Sequence, residues 1–181
     1  DEITYLQEIY RDSVDYSQVT ITRGSALSAG AARTTGNTIN LQDEHFDGDT
    51  MNLSEAGQLV LAHEMGHVWQ YQNGGLAYIP SSLIPQIAAG ISGQSRNTAY
   101  DWRAAVANHL DWADWNAEQQ AECISDYNEA LRRVQADNYG ENAQQRLADI
   151  HTIVLAEPYI ALVQARVGAP GSTRPGADAD D

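Results

Sequence analysis

The stretch LVLAHEMGHVWQYQ, residues 59–72, holds the most informative pattern in the chain. It includes HEMGH, residues 63–67, in which two histidines stand four residues apart. On a helix, positions i and i+4 are separated by about 40° around the axis, so both imidazoles project from one face. His63 and His67 can therefore ligate one metal ion, and Glu64 stands beside them as a group that can move a proton.

The residues around this motif are apolar. Between positions 56 and 72, Glu64 is the only acidic or basic residue besides the two histidines. Large apolar side chains form a stripe on the face away from the histidines: Leu61, Met65, Val68 and Trp69. A lone carboxylate on a buried helix is costly unless it is paired or coordinates a metal. The pattern therefore favours a metal site over the alternative, an exposed helix that carries two histidines by chance.

The helix that carries the motif is expected to run from about Asn52 to Asn73. Asn52, followed three residues later by Glu55, resembles a capping box, and the Gly74-Gly75 pair is a typical helix stop. Apolar spacing and alternation predict the other elements: helices at 3–14, 116–137 and 141–167, the last bent by Pro158, and strands at 17–23 and 36–42.

These elements predict an α+β fold that is mainly α. Residues 1–167 are expected to form one domain, because 181 residues suffice for a single sizeable core. Residues 168–181 are rich in Pro and Gly and acidic, and they are expected to form a disordered tail. Residues 76–100, which contain Pro80 and Pro85, are either a lid over the site or an ordinary connecting loop.

A zinc site needs a third protein ligand, because zinc in catalytic sites takes three and leaves one position open. Only one cysteine is present, Cys123, so the third ligand must be His, Asp or Glu. The helix predicted at 116–137 offers Glu118 and Glu122, which share one face because they are four residues apart. The alternative is that both are ordinary surface carboxylates.

The two motifs together resemble the gluzincin type of zincin metallopeptidase, in which HExxH is followed by a helix carrying E-x-x-A-[DE]. The segment EQQAE, residues 118–122, matches the second pattern. The resemblance implies that Glu118 is the third zinc ligand and that Glu122 supports a ligand histidine. The last place of the pattern commonly holds Asp, so Asp126 is a substitute candidate for that supporting role.

The phrases HEMGHVWQYQNGG and WNAEQQAECISDY also resemble the Vgr-related, zincin-like domains of bacterial contractile injection and type VI secretion systems. This resemblance covers about residues 10–130. It implies a zincin-like core with a small N-terminal sheet, an active-site helix and a second ligand-bearing helix. It further implies a bacterial source, secretion or delivery by such a system, and secretion-system proteins as partners.

The expected function is that of a zinc metallopeptidase acting on a protein or peptide substrate, with Glu64 as the general base. The strand near residues 38–41 is a candidate sheet edge for an extended peptide. Stabilising the tetrahedral intermediate requires an electrophile, and four side chains are candidates: Tyr127, His109, His151 and Tyr159. Trp102, Trp112 and Trp115 either line a substrate groove or pack in the core.

The main alternative is an inactive zincin-fold adaptor in a secretion apparatus. A structural zinc site is usually closed by four protein ligands, and Asp43, His45 or Asp126 are candidates for the fourth. Glu64 favours catalysis, because a structural site has no use for a base. An acidic interaction domain without metal is the third reading, and it requires both motifs to be coincidental.

Composition excludes several other functions. The chain has ten basic residues, all arginine, and 25 acidic residues, giving a net charge of −15. Phosphate backbones and anionic lipids would repel such a chain, so no nucleic-acid partner is expected. The absence of lysine excludes Schiff-base chemistry and a Walker-type phosphate loop. No run of 18 apolar residues is present, so no membrane span is expected.

Overall fold

The computed structural model of this protein describes residues 4–24, 32–79 and 97–172. These residues form six α-helices: α1 (Thr4–Tyr10), α2 (Glu55–Gly74), α3 (Asn97–Tyr100), α4 (Trp102–Ala107), α5 (Ala117–Ala136) and α6 (Ala143–Gln164). They also form three strands: β1 (Thr20–Arg23), β2 (Arg33–Thr35) and β3 (Thr38–Leu41). The predicted fold class, α+β and mainly α, is confirmed.

The three strands form one small sheet in the order β1-β3-β2. β3 runs parallel to β1 and antiparallel to β2, with Ile39 opposite Ile21 on one side and Thr34 on the other. The sequence pattern did not predict β2, because its residues, RTT, lack large apolar side chains. Since β3 is the central strand, the prediction that residues 38–41 form a sheet edge is wrong.

Helix α2 begins later than predicted. Its N-cap is Ser54, whose hydroxyl accepts a hydrogen bond from the backbone N–H of Gly57 at 3.1 Å. Asn52 is held outside the helix, because its carbonyl accepts from the N–H of Asp47 at 2.9 Å in the preceding loop. The predicted cap at Asn52 is therefore wrong, whereas the predicted glycine stop is confirmed, with Gly75 at a φ of 72°.

Helices α1 and α5 show where local signals succeed and fail. The side chain of Asn116 caps α5 by accepting from the N–H of Gln119 at 2.9 Å, as the start predicted at 116 requires. The helix predicted at 3–14 ends at Tyr10 instead, because Arg11 adopts a left-handed φ of 49°. The Tyr10 hydroxyl then donates to the Ala62 carbonyl at 3.0 Å and holds α1 against α2.

The core lies between α2, the sheet and the two long C-terminal helices. The apolar stripe of α2 is fully buried, as predicted for Leu61, Met65, Val68 and Trp69. The other three tryptophans are also buried, and Tyr159 packs on Trp112 and Trp115 with ring centroids 5.6 and 4.6 Å apart. Core packing, rather than a substrate groove, therefore accounts for these tryptophans.

The chain after α6 turns back onto the end of α2. Gly168 packs against the Trp112 ring, and the Pro170 carbonyl lies where a side chain on Gly74 would stand. Residues 168–172 are thus seen in contact with the domain, and residues 173–181 of the predicted tail lie outside the described residues. Most of the segment predicted as a lid or loop, residues 80–96, also lies outside them. None of the helices described is long and apolar enough to cross a bilayer.

Candidate metal centre

Three predicted ligand residues lie together where α2 crosses α5. His63 Nε2 is 3.3 Å from Glu118 Oε2, and His67 Nε2 is 3.5 Å from the same oxygen. Glu118 is only 3% exposed, and its side chain projects from the first turn of α5 toward both rings. Within the described ranges this His/His/Glu cluster is the one group suited to hold a metal ion, with ligand atoms all within 4.8 Å of one another.

The spacing of these atoms fits a zinc ion. Bonds of about 2.0–2.1 Å in a tetrahedral arrangement separate neighbouring ligand atoms by about 3.3–3.4 Å. The two measured nitrogen–oxygen distances, 3.3 and 3.5 Å, agree with that separation. Two imidazoles and one carboxylate are also a ligand set that zinc accepts. The types of the three residues and these two separations are therefore compatible with a zinc ion.

Close packing of α2 on α5 brings the ligands within reach of each other. Gly66 lies between the two histidines in sequence and faces Ala121, one turn after Glu118. A Cβ on Gly66 would stand 3.1 Å from both the Cα and the Cβ of Ala121. The glycine therefore sets the distance between the helices, a role that its place inside HEMGH does not reveal.

The two candidates for the residue that supports a ligand histidine have different surroundings. Glu122 Oε2 lies 3.0 Å from His63 Nδ1, which leaves Nε2 of that ring facing Glu118. Asp126 Oδ2 instead accepts hydrogen bonds from Trp102 Nε1 at 2.8 Å and from Arg103 at 2.6 Å. Of the two, Glu122 is the carboxylate that contacts the ring.

The electrostatic environment of the cluster is strongly negative. Burial lowers the pKa of His63, but hydrogen bonds to Glu118 and Glu122 and the charge of Glu64 outweigh burial and raise it to about 10. Burial raises the pKa of Glu118, yet hydrogen bonds from both histidines hold it well below its usual value. Surroundings that hold a proton so firmly on an imidazole also suit a divalent cation.

The predicted base, Glu64, is buried beside the sheet. It is 7% exposed, and its Oε2 accepts a hydrogen bond from the hydroxyl of Thr34 at 2.6 Å. Thr34 lies in the middle of β2, the strand that the sequence pattern did not predict. No local signal could have identified Thr34, because the contact joins residues 30 positions apart.

Sequence reasoning also missed the side chains that flank the two rings. Tyr78 stacks on His67 with centroids 5.8 Å apart, and Tyr100 lies 5.9 Å from the ring of His63. Behind His67, the Gln70 side-chain oxygen lies 2.8 Å from Nδ1. The sequence carries one signal for Gln70, a polar residue that directly follows the large apolar pair Val68-Trp69 on the same helix.

None of the four candidate electrophiles lies at the cluster. His109 and His151 are exposed, and Tyr159 packs among the tryptophans. Tyr127 is half-buried against the hydrophobic core, and burial, together with the charges of Glu157 and Glu8, raises its pKa. These side chains could not be ranked from sequence, because their spacing says nothing about which end of the domain they occupy.

The candidates for a fourth protein ligand have other partners. Asp43 pairs with Arg23 at 2.7 Å, and His45 Nδ1 accepts from the backbone N–H of Gln42 at 3.1 Å. Asp126 is held by Trp102 and Arg103, as described above. Over the described part of the chain, three protein side chains therefore form the candidate metal centre.

Comparison with known proteins yields one family. No curated protein and no solved structure matches the chain. The family match runs from residue 11 to residue 75, so it contains the sheet, α2 and the HEMGH motif but ends before Glu118. Over these residues the chain is similar to the eCIS core domain, which associates it with extracellular contractile injection systems.

Proposed function

We propose that this chain is a zinc-dependent metallopeptidase that works in association with a contractile injection system. The observation that carries the proposal is the convergence of His63 Nε2, His67 Nε2 and Glu118 Oε2, with the carboxylate of Glu64 on the same helix. The described residues contribute three protein ligands, a number that favours catalysis over a purely structural role, because catalytic zinc keeps one position open. The family match supports the association with an injection system.

In this proposal the His/His/Glu cluster holds the zinc ion. A zinc ion there supplies Lewis acidity, which acidifies water and polarises a carbonyl oxygen. Glu64 takes the proton of the attacking water and passes it to the leaving nitrogen. Because Thr34 donates to Oε2, Oε1 is the atom of Glu64 that receives this proton.

The sheet supports a place for the substrate. β2 is an edge strand of the three-stranded sheet, and Thr34 in its centre contacts Glu64. An extended peptide that pairs with the edge of β2 that faces away from β3 would pass beside the proposed base. The peptide backbone would then be recognised by main-chain hydrogen bonds, a mode that tolerates varied side chains.

An adaptor without catalytic activity is the second candidate. It is favoured by the family match, which concerns injection systems and does not include Glu118. In the adaptor, the metal would serve only to hold α2 against α5. The two candidates predict different rates of peptide cleavage. The peptidase cleaves a peptide and loses this activity when Glu64 is changed, whereas the adaptor cleaves nothing.

Metal content and hydrolysis, measured together, decide between them. We expect about one zinc ion per chain by plasma mass spectrometry, and cleavage of an unfolded protein such as casein. Glu64→Gln should retain the zinc and lower the cleavage rate by about 10²–10⁴-fold, because a general base is lost. Glu55→Gln, an exposed glutamate on the same helix, is the matched control. Bound zinc without any cleavage would favour the adaptor, and absence of bound zinc would refute both.

A further inference from the structure

Behind His67, two buried glutamines form a chain of hydrogen bonds that leads away from the candidate metal centre. Gln70 and Gln120 are both 0% exposed. Gln70 Oε1 lies 2.8 Å from His67 Nδ1, and Gln70 Nε2 lies 3.1 Å from Gln120 Oε1. The direction of each amide in this chain can be deduced from its backbone partners.

Gln120 lies at the far end of this chain of hydrogen bonds. Its side-chain nitrogen lies 2.9 Å from the carbonyl of Trp112 and 2.9 Å from the carbonyl of Gly168. A carbonyl oxygen only accepts hydrogen bonds, so the NH₂ group of Gln120 must point toward these two oxygens. Both of its hydrogens are then used, and Oε1 is the atom that faces Gln70.

The amide of Gln70 is oriented in the same way. Its nitrogen lies 2.9 Å from the carbonyl of Ala117 and 3.1 Å from Oε1 of Gln120. Both of these atoms are acceptors, so they take both hydrogens of the Gln70 amide. Gln70 must therefore present its oxygen to His67, and an oxygen at 2.8 Å requires that Nδ1 carries the hydrogen.

We propose that Gln70 and Gln120 are positioning residues that keep a hydrogen on Nδ1 of His67, which makes Nε2 the nitrogen that faces Glu118 Oε2 and is offered to a metal ion. The role of His67 as a ligand rests on the proposed function, whereas the hydrogen on Nδ1 does not. Metal-binding histidines generally need such a partner on the second nitrogen. For His63 that partner is Glu122, a carboxylate whose side chain is 37% exposed, whereas for His67 it is a neutral amide buried in the core.

Two variants of Gln70 separate this role from a merely structural one. Gln70→Glu keeps an acceptor for Nδ1–H but places a carboxyl group against two other acceptors, so it should destabilise the fold more than Gln70→Met. Gln70→Met removes the acceptor. We therefore expect a zinc Kd within about tenfold of wild type for Gln70→Glu and one weaker by about 10–100-fold for Gln70→Met. Of the two variants, Gln70→Glu should then bind zinc more tightly and yet have the lower melting temperature.

Zinc affinity is measured by competition with a chromophoric chelator, and Gln144→Met on the exposed face of α6 is the control. An affinity that falls in step with melting temperature, with Gln70→Glu the weakest binder, would overturn the proposal. If Gln70→Glu does not fold, Gln120→Met replaces it. That variant leaves the Ala117 carbonyl to orient Gln70, so it should lose less affinity than Gln70→Met.

Nitrogen-15 NMR of the zinc-free chain tests for this hydrogen directly. We expect Nδ1 of His67 to carry a hydrogen in the wild type, and this hydrogen to be present in a smaller fraction of the molecules in Gln70→Met. A wild type in which Nδ1 of His67 carries no hydrogen overturns the proposal. This readout also separates the two hypotheses: a wild type that binds no zinc but shows the hydrogen on Nδ1 refutes the proposed function and leaves the inference intact.

Discussion

Glu118, Glu122 and Asp126 follow one another at intervals of four residues on α5, but only the first two contact the histidines. Each step of four rotates the side chain by about 40° and advances it by about 6 Å along the helix axis. Asp126 therefore lies about 80° and 12 Å from Glu118. The four-residue spacing predicts that these carboxylates are neighbours on α5. It does not predict which of them lies where α2 crosses α5.

Three variants at these positions should differ in zinc affinity. Glu118→Gln removes the proposed ligand and should weaken binding by more than the 10–100-fold typical of lost supporting partners. Glu122→Gln should cost about tenfold, at the low end of that range, because its side chain is 37% exposed and water can replace it. Asp126→Asn should leave the affinity unchanged. Chelator competition gives all three values, and a largest loss for Asp126→Asn would move the ligand to that residue.

At the scale of elements, the crossing of α2 and α5 assembles the site. HEMGH supplies two ligands from one helix, and the first turn of α5 supplies the third. The capping box at Asn116 starts α5 two residues before Glu118, so a local sequence signal determines how far the ligand lies from the helix end. The separation of the helices depends instead on Gly66, which contacts Ala121.

Enlarging Gly66 should therefore affect stability and metal binding together. In Gly66→Leu, the new side chain must push α2 away from Ala121, and such overpacking costs about 1–3 kcal/mol. We expect a lower melting temperature and weaker zinc binding, because the histidines move away from Glu118. Gln144→Leu, on the exposed face of α6, is the control. Unchanged zinc affinity in Gly66→Leu would show that the close approach is not needed by the site.

For the molecule as a whole, a buried acidic residue joins the last two helices. Asp149 on α6 accepts two hydrogen bonds from Arg133 on α5, at 2.9 and 2.8 Å. It also accepts from the Tyr139 hydroxyl at 2.7 Å and from Gln145 at 3.0 Å. The hydrogen bond from Arg133 is the largest influence on Asp149 and, together with the other donors, lowers the pKa of its carboxyl group.

Because of this lowered pKa, the free energy of unfolding should decrease as the pH falls into the acid range. The pKa of Asp149 is lower in the folded chain than the value of about 3.9 in the unfolded one, so its stabilising contribution is complete above that value. It is lost as pH falls from about 3.9 through the folded pKa. Asp149→Asn should be less stable than wild type at pH 7 by about 1–3 kcal/mol, and the difference should shrink in that acid range.

Urea unfolding across the pH range measures this dependence. Asp137→Asn is a suitable control, because Asp137 is 70% exposed and pairs with Arg146 at 3.7 Å between the same two helices. Its effect should stay within about 0.5 kcal/mol at every pH. A difference between wild type and Asp149→Asn that does not change between pH 7 and pH 3 would contradict the assignment.

Local patterns predicted the features of this chain that depend on helix periodicity. The burial of the α2 stripe, the extent of α5 and the shared face of His63 and His67 all follow from the 3.6-residue repeat. Predictions at irregular positions were weaker. The cap of α2 and the end of α1 depend on irregular backbone geometry, such as the hydrogen bond from the N–H of Asp47 to the carbonyl of Asn52 and the left-handed φ of Arg11, and the strand β2 depends on pairing with β3.

The sequence by itself determined that one helix offers two histidines and a carboxylate, and that a second helix offers Glu118 and Glu122. Only the tertiary structure decided which atoms meet: Thr34 at Glu64, Gln70 and Gln120 behind His67, and β2 rather than β3 at the sheet edge. The physical reason is the sequence separation of the interacting residues. Backbone hydrogen bonding fixes directions within a few residues, whereas contacts across 30 to 55 positions depend on how the helices and the sheet pack.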